Sequence, residues 1–208
     1  MSDFTYETEK KTAKLENYEW DNVWWDTTGN VDSFRALYIG DSISCATRRL
    51  ATAASEGKIL FDGFGTSKAL DNQYFIPALR MFGEQEGHRE VIFFNNGLHG
   101  WHLSEDEYAE YYEKTVRFII DEYKGTPLVV VLTTFVTNPE RNERVIARNE
   151  KACAIAEKYG LDVVDLYSIS QSVKEHIRPD GVHFSEEGSK AFAAALVECA
   201  SKYCLIKK

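Results

Sequence analysis

The sequence predicts an α/β domain in which helices cover both faces of a parallel sheet. From Arg35 onward, short apolar runs alternate with longer amphipathic stretches, as they do in repeated βα units. The short runs are almost continuously hydrophobic, which is typical of strands that are buried on both faces. With 208 residues, the chain is long enough for one such domain with a sizeable core. We therefore expect a single three-layer α/β/α domain.

Five strands and five helices account for this alternation. The predicted strands are 36–40, 58–61, 91–95, 128–133 and 163–166, and the predicted helices are 45–55, 67–82, 104–123, 138–159 and 185–202. Two of the helices carry clear end signals. Ser104 and Glu107 form a capping-box pattern, and the helix that opens with Asn138 and Pro139 stops at Gly160. The sheet is therefore predicted to have five parallel strands.

The first 32 residues differ from the rest of the chain. They have no clear hydrophobic period and contain Trp20, Trp24 and Trp25. We expect residues 1–32 to form an N-terminal arm that packs on the domain of residues 33–208. Tryptophan rings suit stacking on sugars, but in such an arm they serve more often as hydrophobic anchors.

Charge and composition exclude several classes of partner. A net charge of −9 argues against nucleic acids, because binding a polyanion needs a basic face, and it also argues against anionic membrane surfaces. The four cysteines form neither a CxxC pair nor a Cys/His metal pattern. No signal peptide or transmembrane stretch is visible. The sequence thus predicts a cytoplasmic protein with a small-molecule partner and with no metal or other cofactor.

A serine follows the first predicted strand in the segment Gly40-Asp41-Ser42. In open parallel sheets, ligands bind at the carboxyl ends of the strands, and the N–H groups that start the next helix favour negative charge there. Ser42 is therefore a candidate nucleophile beside a site for an oxyanion. Alternatively, Asp41 and Ser42 cap the following helix, and Asp41 steadies the turn.

Asp180 and His183 lie three residues apart in the segment between the last predicted strand and the last predicted helix. A serine hydroxyl needs a base to take its proton, and histidine is the usual base near neutral pH. A carboxylate then fixes the orientation of that histidine. The alternative is a surface aspartate beside a histidine that faces the core. A doubly wound topology brings Ser42, Asp180 and His183 to the same sheet edge, which favours the functional interpretation.

The order of these motifs resembles that of the SGNH (GDSL-like) hydrolases. Gly-Asp-Ser lies near the start and Asp-x-x-His near the end, and residues 183–188 are similar to the family's lead into its last helix. The resemblance runs from about residue 35 to the C-terminus and implies a flavodoxin-like three-layer fold. It also implies a serine esterase in which Ser42 attacks an acyl carbonyl, His183 transfers the proton and Asp180 supports His183.

The resemblance further implies an oxyanion hole with three hydrogen-bond donors. The first is the N–H of Ser42. The second is a glycine after the second strand, which we assign to Gly65, with Gly63 as the second choice. Both glycines could instead belong to a strand-exit turn that needs positive φ. The third donor is the asparagine of the family pattern Gly-x-Asn-Asp.

The third block of this chain departs from that pattern, since residues 94–101 have the sequence FNNGLHGW. If Gly97 takes the place of the motif's glycine, His99 stands where the asparagine is expected. In another register, Asn96 supplies the amide. We slightly favour Asn96, with His99 either as the alternative donor or as a histidine that only supports the site. The segment is similar to the Asn-Thr-Gly-His-Trp sequence of a related family of plant polysaccharide acetyl-modifying proteins.

Trp101, His99 and Asp41 are the residues that we expect to contact the substrate. Because a tryptophan face suits a sugar ring, the leading prediction is an acetyl ester on a carbohydrate. The alternatives on the same triad are a lipolytic esterase, a thioesterase and an acyltransferase. A non-catalytic carbohydrate-binding relative is a further alternative. A flavodoxin-like binder has less support, because the first loop lacks a longer phosphate cradle.

Overall fold

The computed structural model describes residues 15–16, 18–85 and 87–204. Its strands are β1 (Asp21–Trp24), β2 (Phe34–Gly40), β3 (Ile59–Thr66), β4 (Val91–Phe94), β5 (Leu128–Val131) and β6 (Asp162–Val164). Its helices are α1 (Ser42–Ala54), α2 (Phe75–Gln85), α3 (Glu105–Glu122), α4 (Pro139–Tyr159), α5 (Leu166–Ser172) and α6 (Glu186–Cys204), with a 3₁₀ turn at Lys174–His176. None of these helices combines the length and the apolar composition that crossing a membrane requires. Residues 1–14 of the predicted arm and 205–208 of the predicted domain lie outside the described residues.

The sheet has the strand order β1-β3-β2-β4-β5-β6. The strands from β3 to β6 along this order are parallel neighbours, which confirms the predicted arrangement around five parallel strands. The predicted strand count was wrong by one, because β1 pairs antiparallel with β3 and adds a sixth strand. Its sequence gave no signal, since Asp21 and Asn22 belong to residue types that are depleted in strands and four residues are too few for a pattern.

Several predicted boundaries were also wrong. β3 continues to Thr66 instead of ending at residue 61, α2 begins at Phe75 instead of at residue 67, and α5 follows β6. The extension of β3 was missed because it contains Asp62, and a buried carboxylate is unexpected in a strand. Asp62 is fully buried, but Arg35 neutralises it, with Nη1 lying 2.8 Å from Oδ2.

Alternate residues of the central strands point to opposite faces of the sheet. On β2, Ala36 and Tyr38 join a core cluster with α1 and α6, whereas Leu37 and Ile39 join a second cluster with α2 and α3. All four side chains are almost completely buried, as expected for a strand covered on both faces. The two helical layers cover both faces of the sheet but not the carboxyl ends of its parallel strands. The predicted site residues meet at this edge.

Candidate active site

The turn between β2 and α1 presents Ser42 and is fixed by Asp41. Ser42 is the first residue of α1, and Asp41 is the N-cap, whose Oδ1 accepts a hydrogen bond from Ile43 N at 2.9 Å. Burial raises the pKa of Asp41, although the charges of His99 and His183 oppose this shift. Asp41 has no exposed surface, so it supports the turn and does not offer the predicted contact to a substrate.

The Asp180 loop, residues 178–185, holds its two functional side chains through its own backbone. Oδ1 of Asp180 accepts hydrogen bonds from the N–H groups of Val182 and His183, both at 2.9 Å. Gly181 turns the chain with a φ of 72°. The loop is therefore a tight turn in which the carboxylate fixes the histidine that follows it.

The structure places Ser42 and Asp180 each within hydrogen-bonding distance of His183. Nε2 of His183 lies 2.7 Å from Ser42 Oγ, and Nδ1 lies 2.9 Å from Asp180 Oδ2. Burial raises the pKa of Asp180, but the two backbone N–H groups and the imidazole outweigh it and hold the pKa at about 2. The ionised carboxylate accepts the Nδ1 proton, which leaves the Nε2 lone pair for the hydroxyl of Ser42.

The third loop, residues 95–101, is held by Arg148 of α4, whose side chain is completely buried. The guanidinium group donates to the backbone oxygens of Gly97 at 3.0 Å, His99 at 2.7 Å and Gly100 at 2.8 Å. A buried charge is costly unless it is hydrogen-bonded. These three hydrogen bonds therefore tie the loop to α4.

Asn96, the favoured third donor, contacts groups that support the loop. Its Nδ2 donates to Lys68 O at 3.0 Å, and its backbone oxygen accepts the hydroxyl of Tyr108 at 2.7 Å. The neighbouring Asn95 is used in the same way, because its Nδ2 donates to Val131 O at 2.8 Å. The side-chain amides of both asparagines are thus oriented by backbone oxygens.

His99 occupies the alternative position for the third donor. Its Nδ1 lies 3.6 Å from Glu16 Oε1, whereas its buried Nε2 has no hydrogen-bond partner within the described part of the chain. Trp20 meets the ring edge-on, with 6.4 Å between the ring centroids. His99 is also one of the groups that lower the pKa of Asp41 against the effect of burial.

Gly65 and Gly63 lie inside β3 and lack the positive φ of the alternative interpretation. Ser67 N donates to Trp20 O at 3.1 Å in continuation of the β1–β3 pairing, and N–H groups two residues apart on a strand point the same way. The N–H of Gly65 therefore points toward β1 and away from β2, which differs from the expected donor role. Gly65 instead provides space, because a Cβ there would overlap Cys45 Sγ in the first turn of α1.

The tryptophans that were considered for sugar binding are packed against other side chains. Trp25 stacks on Phe82 with ring centroids 5.1 Å apart, and two guanidinium groups of α1 lie over Trp24. Trp101 is partly buried and lies against three arginines of α4, which are Arg141, Arg144 and Arg148. These contacts favour the anchor interpretation for the arm, and they leave Trp101 less free to stack on a sugar than predicted.

Two residues that shape this site were missed by the sequence analysis. Glu16 accepts a hydrogen bond from Gly100 N at 2.9 Å, and it belongs to the arm, where no pattern singles it out. Arg148 carried a signal, because it lies between Val145 and Ala152 on the buried face of α4, where a charge needs a buried partner. Within residues 15–16, 18–85 and 87–204, no three His, Cys, Asp or Glu side chains are grouped to hold a metal ion.

No family model and no curated protein matches the sequence, but solved structures match its fold. A member of the lipolytic G-D-S-L family from Veillonella parvula gives a TM-score of 0.69 at 16% identity, covering 82% of this chain and 100% of that one. An acetyl xylan esterase, AlAXEase, gives 0.63 at 12% identity, covering 80% and 99%. A variant of Axe2, an acetyl-xylooligosaccharide esterase from Geobacillus, gives 0.58 at 16% identity, covering 81% and 94%.

At these levels of identity the similarity establishes the fold. The parallel sheet between two layers of helices is that of the SGNH (GDSL-like) hydrolases. The fold that the sequence motifs implied is therefore confirmed.

Proposed function

We propose that this protein is a serine esterase with Ser42 as nucleophile, His183 as base and Asp180 as the support of His183. One observation carries the proposal. An unbroken chain of hydrogen bonds runs from Ser42 Oγ to His183 Nε2 at 2.7 Å and from His183 Nδ1 to Asp180 Oδ2 at 2.9 Å. Nucleophile, base and orienting carboxylate thus meet in the order that nucleophilic acyl transfer requires.

In this mechanism the hydroxyl of Ser42 attacks the acyl carbonyl while its proton moves to His183 Nε2. The Nδ1 proton stays hydrogen-bonded to Asp180, which stabilises the imidazolium. His183 then gives the proton to the departing alcohol oxygen as the ester C–O bond breaks and the acyl-enzyme forms. A water molecule gives a proton to His183 and attacks the acyl-enzyme. The carboxylic acid leaves, and Ser42 recovers its proton.

The tetrahedral intermediate carries negative charge on oxygen and needs hydrogen-bond donors. Ser42 N lies in the first turn of α1, where N–H groups have no acceptor within the helix and the helix dipole favours an anion. Ile43 N is committed to Asp41 Oδ1, so the N–H of Ser42 is the backbone donor of the oxyanion hole.

An acetyl ester on a carbohydrate is the substrate that we favour. Two proteins with this fold, AlAXEase and Axe2, are named as esterases of acetylated xylan or xylooligosaccharide. His183 and Asp180 keep 39% and 48% of their side-chain surfaces exposed, so an ester on a bulky sugar chain can reach the triad from solvent. A net charge of −9 suits a neutral ligand better than an anionic one.

Hydrolysis of p-nitrophenyl acetate by the wild type, Ser42→Ala and His183→Ala tests the mechanism. Each substitution should lower kcat by at least about 10⁴-fold. The circular dichroism spectrum should not change, because neither side chain belongs to the two core clusters. Ser172→Ala, at an exposed serine of α5, is the matched control and should keep full activity. Unchanged turnover in Ser42→Ala would exclude Ser42 as the nucleophile.

The substrate class is tested with p-nitrophenyl esters of increasing acyl length and with acetylated xylooligosaccharides. We expect the highest kcat/KM for acetyl esters and a decline with chain length. A rise with chain length would instead indicate a lipolytic enzyme, in line with the name of the Veillonella parvula protein. Preferred transfer of the acetyl group to an added alcohol would indicate an acyltransferase. An inert wild type across the panel would favour a non-catalytic binding protein.

A further inference from the structure

We infer that Thr137, in the segment between β5 and α4, is a positioning residue that holds the Asp180 loop in place beside Ser42. The inference deepens the proposed function and rests on it, since it concerns how His183 and Asp180 are brought to the nucleophile. It assigns a role to residues 132–138, here called the fourth loop, to which no sequence motif gave a function.

Thr137 contacts the Asp180 loop at the residue that follows the catalytic carboxylate. Its N–H donates to Gly181 O at 2.9 Å, and its Oγ1 lies 3.5 Å from the same oxygen. The side chain also lies directly against the glycine, because a Cβ on Gly181 would come within 2.1 Å of Thr137 Oγ1. Since Gly181 is the next residue after Asp180, Thr137 supports the loop within one residue of the carboxylate that orients His183.

The Asp180 loop needs support from outside because its functional side chains are open to solvent. More than a third of the side-chain surface of both Asp180 and His183 is exposed. The backbone N–H groups that Asp180 Oδ1 and His183 O accept belong to the loop itself. Such contacts fix the shape of a loop but not its position on the domain. The distance from His183 Nε2 to Ser42 Oγ therefore depends on contacts with other segments, and the hydrogen bond from Thr137 is one of them.

Thr137 can act as a support because polar side chains of two helices fix the fourth loop. Ser170 of α5 is completely buried, and its Oγ accepts a hydrogen bond from Phe135 N at 2.8 Å. Asn142 of α4 accepts a hydrogen bond from Val136 N at 3.3 Å. The residue that follows Thr137 is the N-cap of α4. A shift of Thr137 would break these hydrogen bonds, so α4 and α5 set the position at which the Asp180 loop is held.

Thr137→Ala tests this inference, with kcat and KM measured on p-nitrophenyl acetate. The lost side chain leaves a gap beside Gly181 into which the Asp180 loop can shift, and a small misplacement of the base is costly for the reaction. We expect kcat to fall by roughly tenfold at an unchanged KM. The melting temperature should stay the same, because Thr137 is exposed. Thr137→Ser keeps Oγ1 and should keep the wild-type kcat. Thr28→Ala, at an exposed threonine of the arm, is the matched control and should have no effect.

Two double variants separate positioning from other roles of Thr137. In the Asp180→Asn background the carboxylate that Thr137 positions is absent, so adding Thr137→Ala should cost almost nothing further. In the Gly181→Ala background it should instead raise kcat, because it removes the atom that the added Cβ overlaps. Equal losses in all three backgrounds would overturn the inference, as would a wild-type kcat in Thr137→Ala. A higher KM at unchanged kcat would overturn it as well, since Thr137 would then contact the substrate.

Amide hydrogen exchange gives a readout that needs no turnover. The N–H groups of Val182 and His183, which Asp180 Oδ1 accepts, should exchange severalfold faster in Thr137→Ala than in the wild type, because the loop opens more often. The amides of the third loop should not change. Equal exchange rates of the Asp180 loop in the two proteins would overturn the inference while leaving the serine mechanism intact. Activity that survives Ser42→Ala would instead refute the proposed function, so the two failures are distinguishable.

Discussion

The Asp180 loop and the third loop both line the candidate active site, but different kinds of contact hold them. In the Asp180 loop most of the supporting groups are close neighbours in sequence, although Thr137 N also donates to Gly181 O at 2.9 Å from a distant position. Oδ1 of Asp180 accepts the N–H groups of Val182 and His183, and Arg178 N donates to His183 O at 2.7 Å. Residues 178–183 therefore contain most of the groups that fix their own shape.

The third loop depends on groups that are distant in sequence. Arg148 binds the backbone oxygen of His99 from 49 positions away, and Glu16 binds the N–H of Gly100 from 84 positions away. A loop supported mainly by its own residues can be recognised in the sequence as a short motif. A loop supported by distant residues has no such motif. We therefore expect substitutions in the Asp180 loop to change the chemistry first, and substitutions that release the third loop to change stability first.

After Ser42→Ala and His183→Ala, the largest effect should come from Asp180→Asn. The amide oxygen can still accept the N–H groups of Val182 and His183, so the loop keeps its shape. The amide nitrogen now faces Nδ1, however, which favours the wrong tautomer of His183. We expect kcat on p-nitrophenyl acetate to fall by roughly 10³–10⁴-fold with little change in melting temperature. A kcat close to that of the wild type would mean that the loop backbone alone orients the imidazole.

The comparison also explains how much of the fold was predictable. The five parallel strands have continuous apolar sequences because both of their faces are buried, and this pattern needs no knowledge of distant contacts. β1 and the second half of β3 had no such pattern. These strand segments form because they pair with each other and because Arg35 neutralises Asp62 inside the sheet. A pairing between two distant segments cannot be seen in the sequence of either segment alone.

The same distinction applies to the site. Ser42, Asp180 and His183 could be proposed because their motifs are short and follow strands that end at one edge. The donor groups of the oxyanion hole could not be assigned in this way. The direction of the Gly65 N–H depends on pairing with β1, and the orientation of the Asn96 amide depends on a distant backbone oxygen.

Arg148→Met should have the next largest effect, and it tests the dependence of the third loop on α4. Methionine keeps much of the side chain's length but donates no hydrogen bonds, so the backbone oxygens of three loop residues lose their partner. We expect the free energy of unfolding to fall by about 3–5 kcal/mol, measured by urea denaturation. Arg141→Met is the matched control, because Arg141 is exposed on the same helix and lies over the same Trp101 ring. Equal losses in the two variants would contradict the assigned role of Arg148.

Gly181→Ala should have a smaller effect that combines strain with misplacement of the Asp180 loop. Gly181 has a φ of 72°, and a Cβ there would overlap Thr137 Oγ1. We expect a loss of about 1–3 kcal/mol in the free energy of unfolding and a severalfold lower kcat. Gly160→Ala separates the two causes, because Gly160 has a φ of 63° with open space around it. It should cost about 1 kcal/mol without changing kcat, and an equal fall in kcat in both variants would exclude the overlap as the cause.

The smallest effect is the loss of folding stability in acid that follows protonation of the Asp180 carboxylate. The pKa of Asp180 in the folded protein is about 2, below the ordinary value of 3.8. A carboxyl group with a lowered pKa stabilises the fold fully above its unfolded pKa, and this stabilisation is lost as the pH falls through the folded pKa. The window for Asp180 therefore lies between about pH 4 and pH 2.

Asp180→Asn removes this titration and leaves the hydrogen bonds of the third loop untouched. With 48% of the Asp180 side chain exposed, solvent screens the charge, and the effect should stay below about 1 kcal/mol. The difference in the free energy of unfolding between the wild type and Asp180→Asn should shrink from about pH 5 to pH 2, measured by urea denaturation at each pH. A difference that stays constant over this range would show that the N–H groups of Val182 and His183 bind the carboxylate no better than they bind the amide.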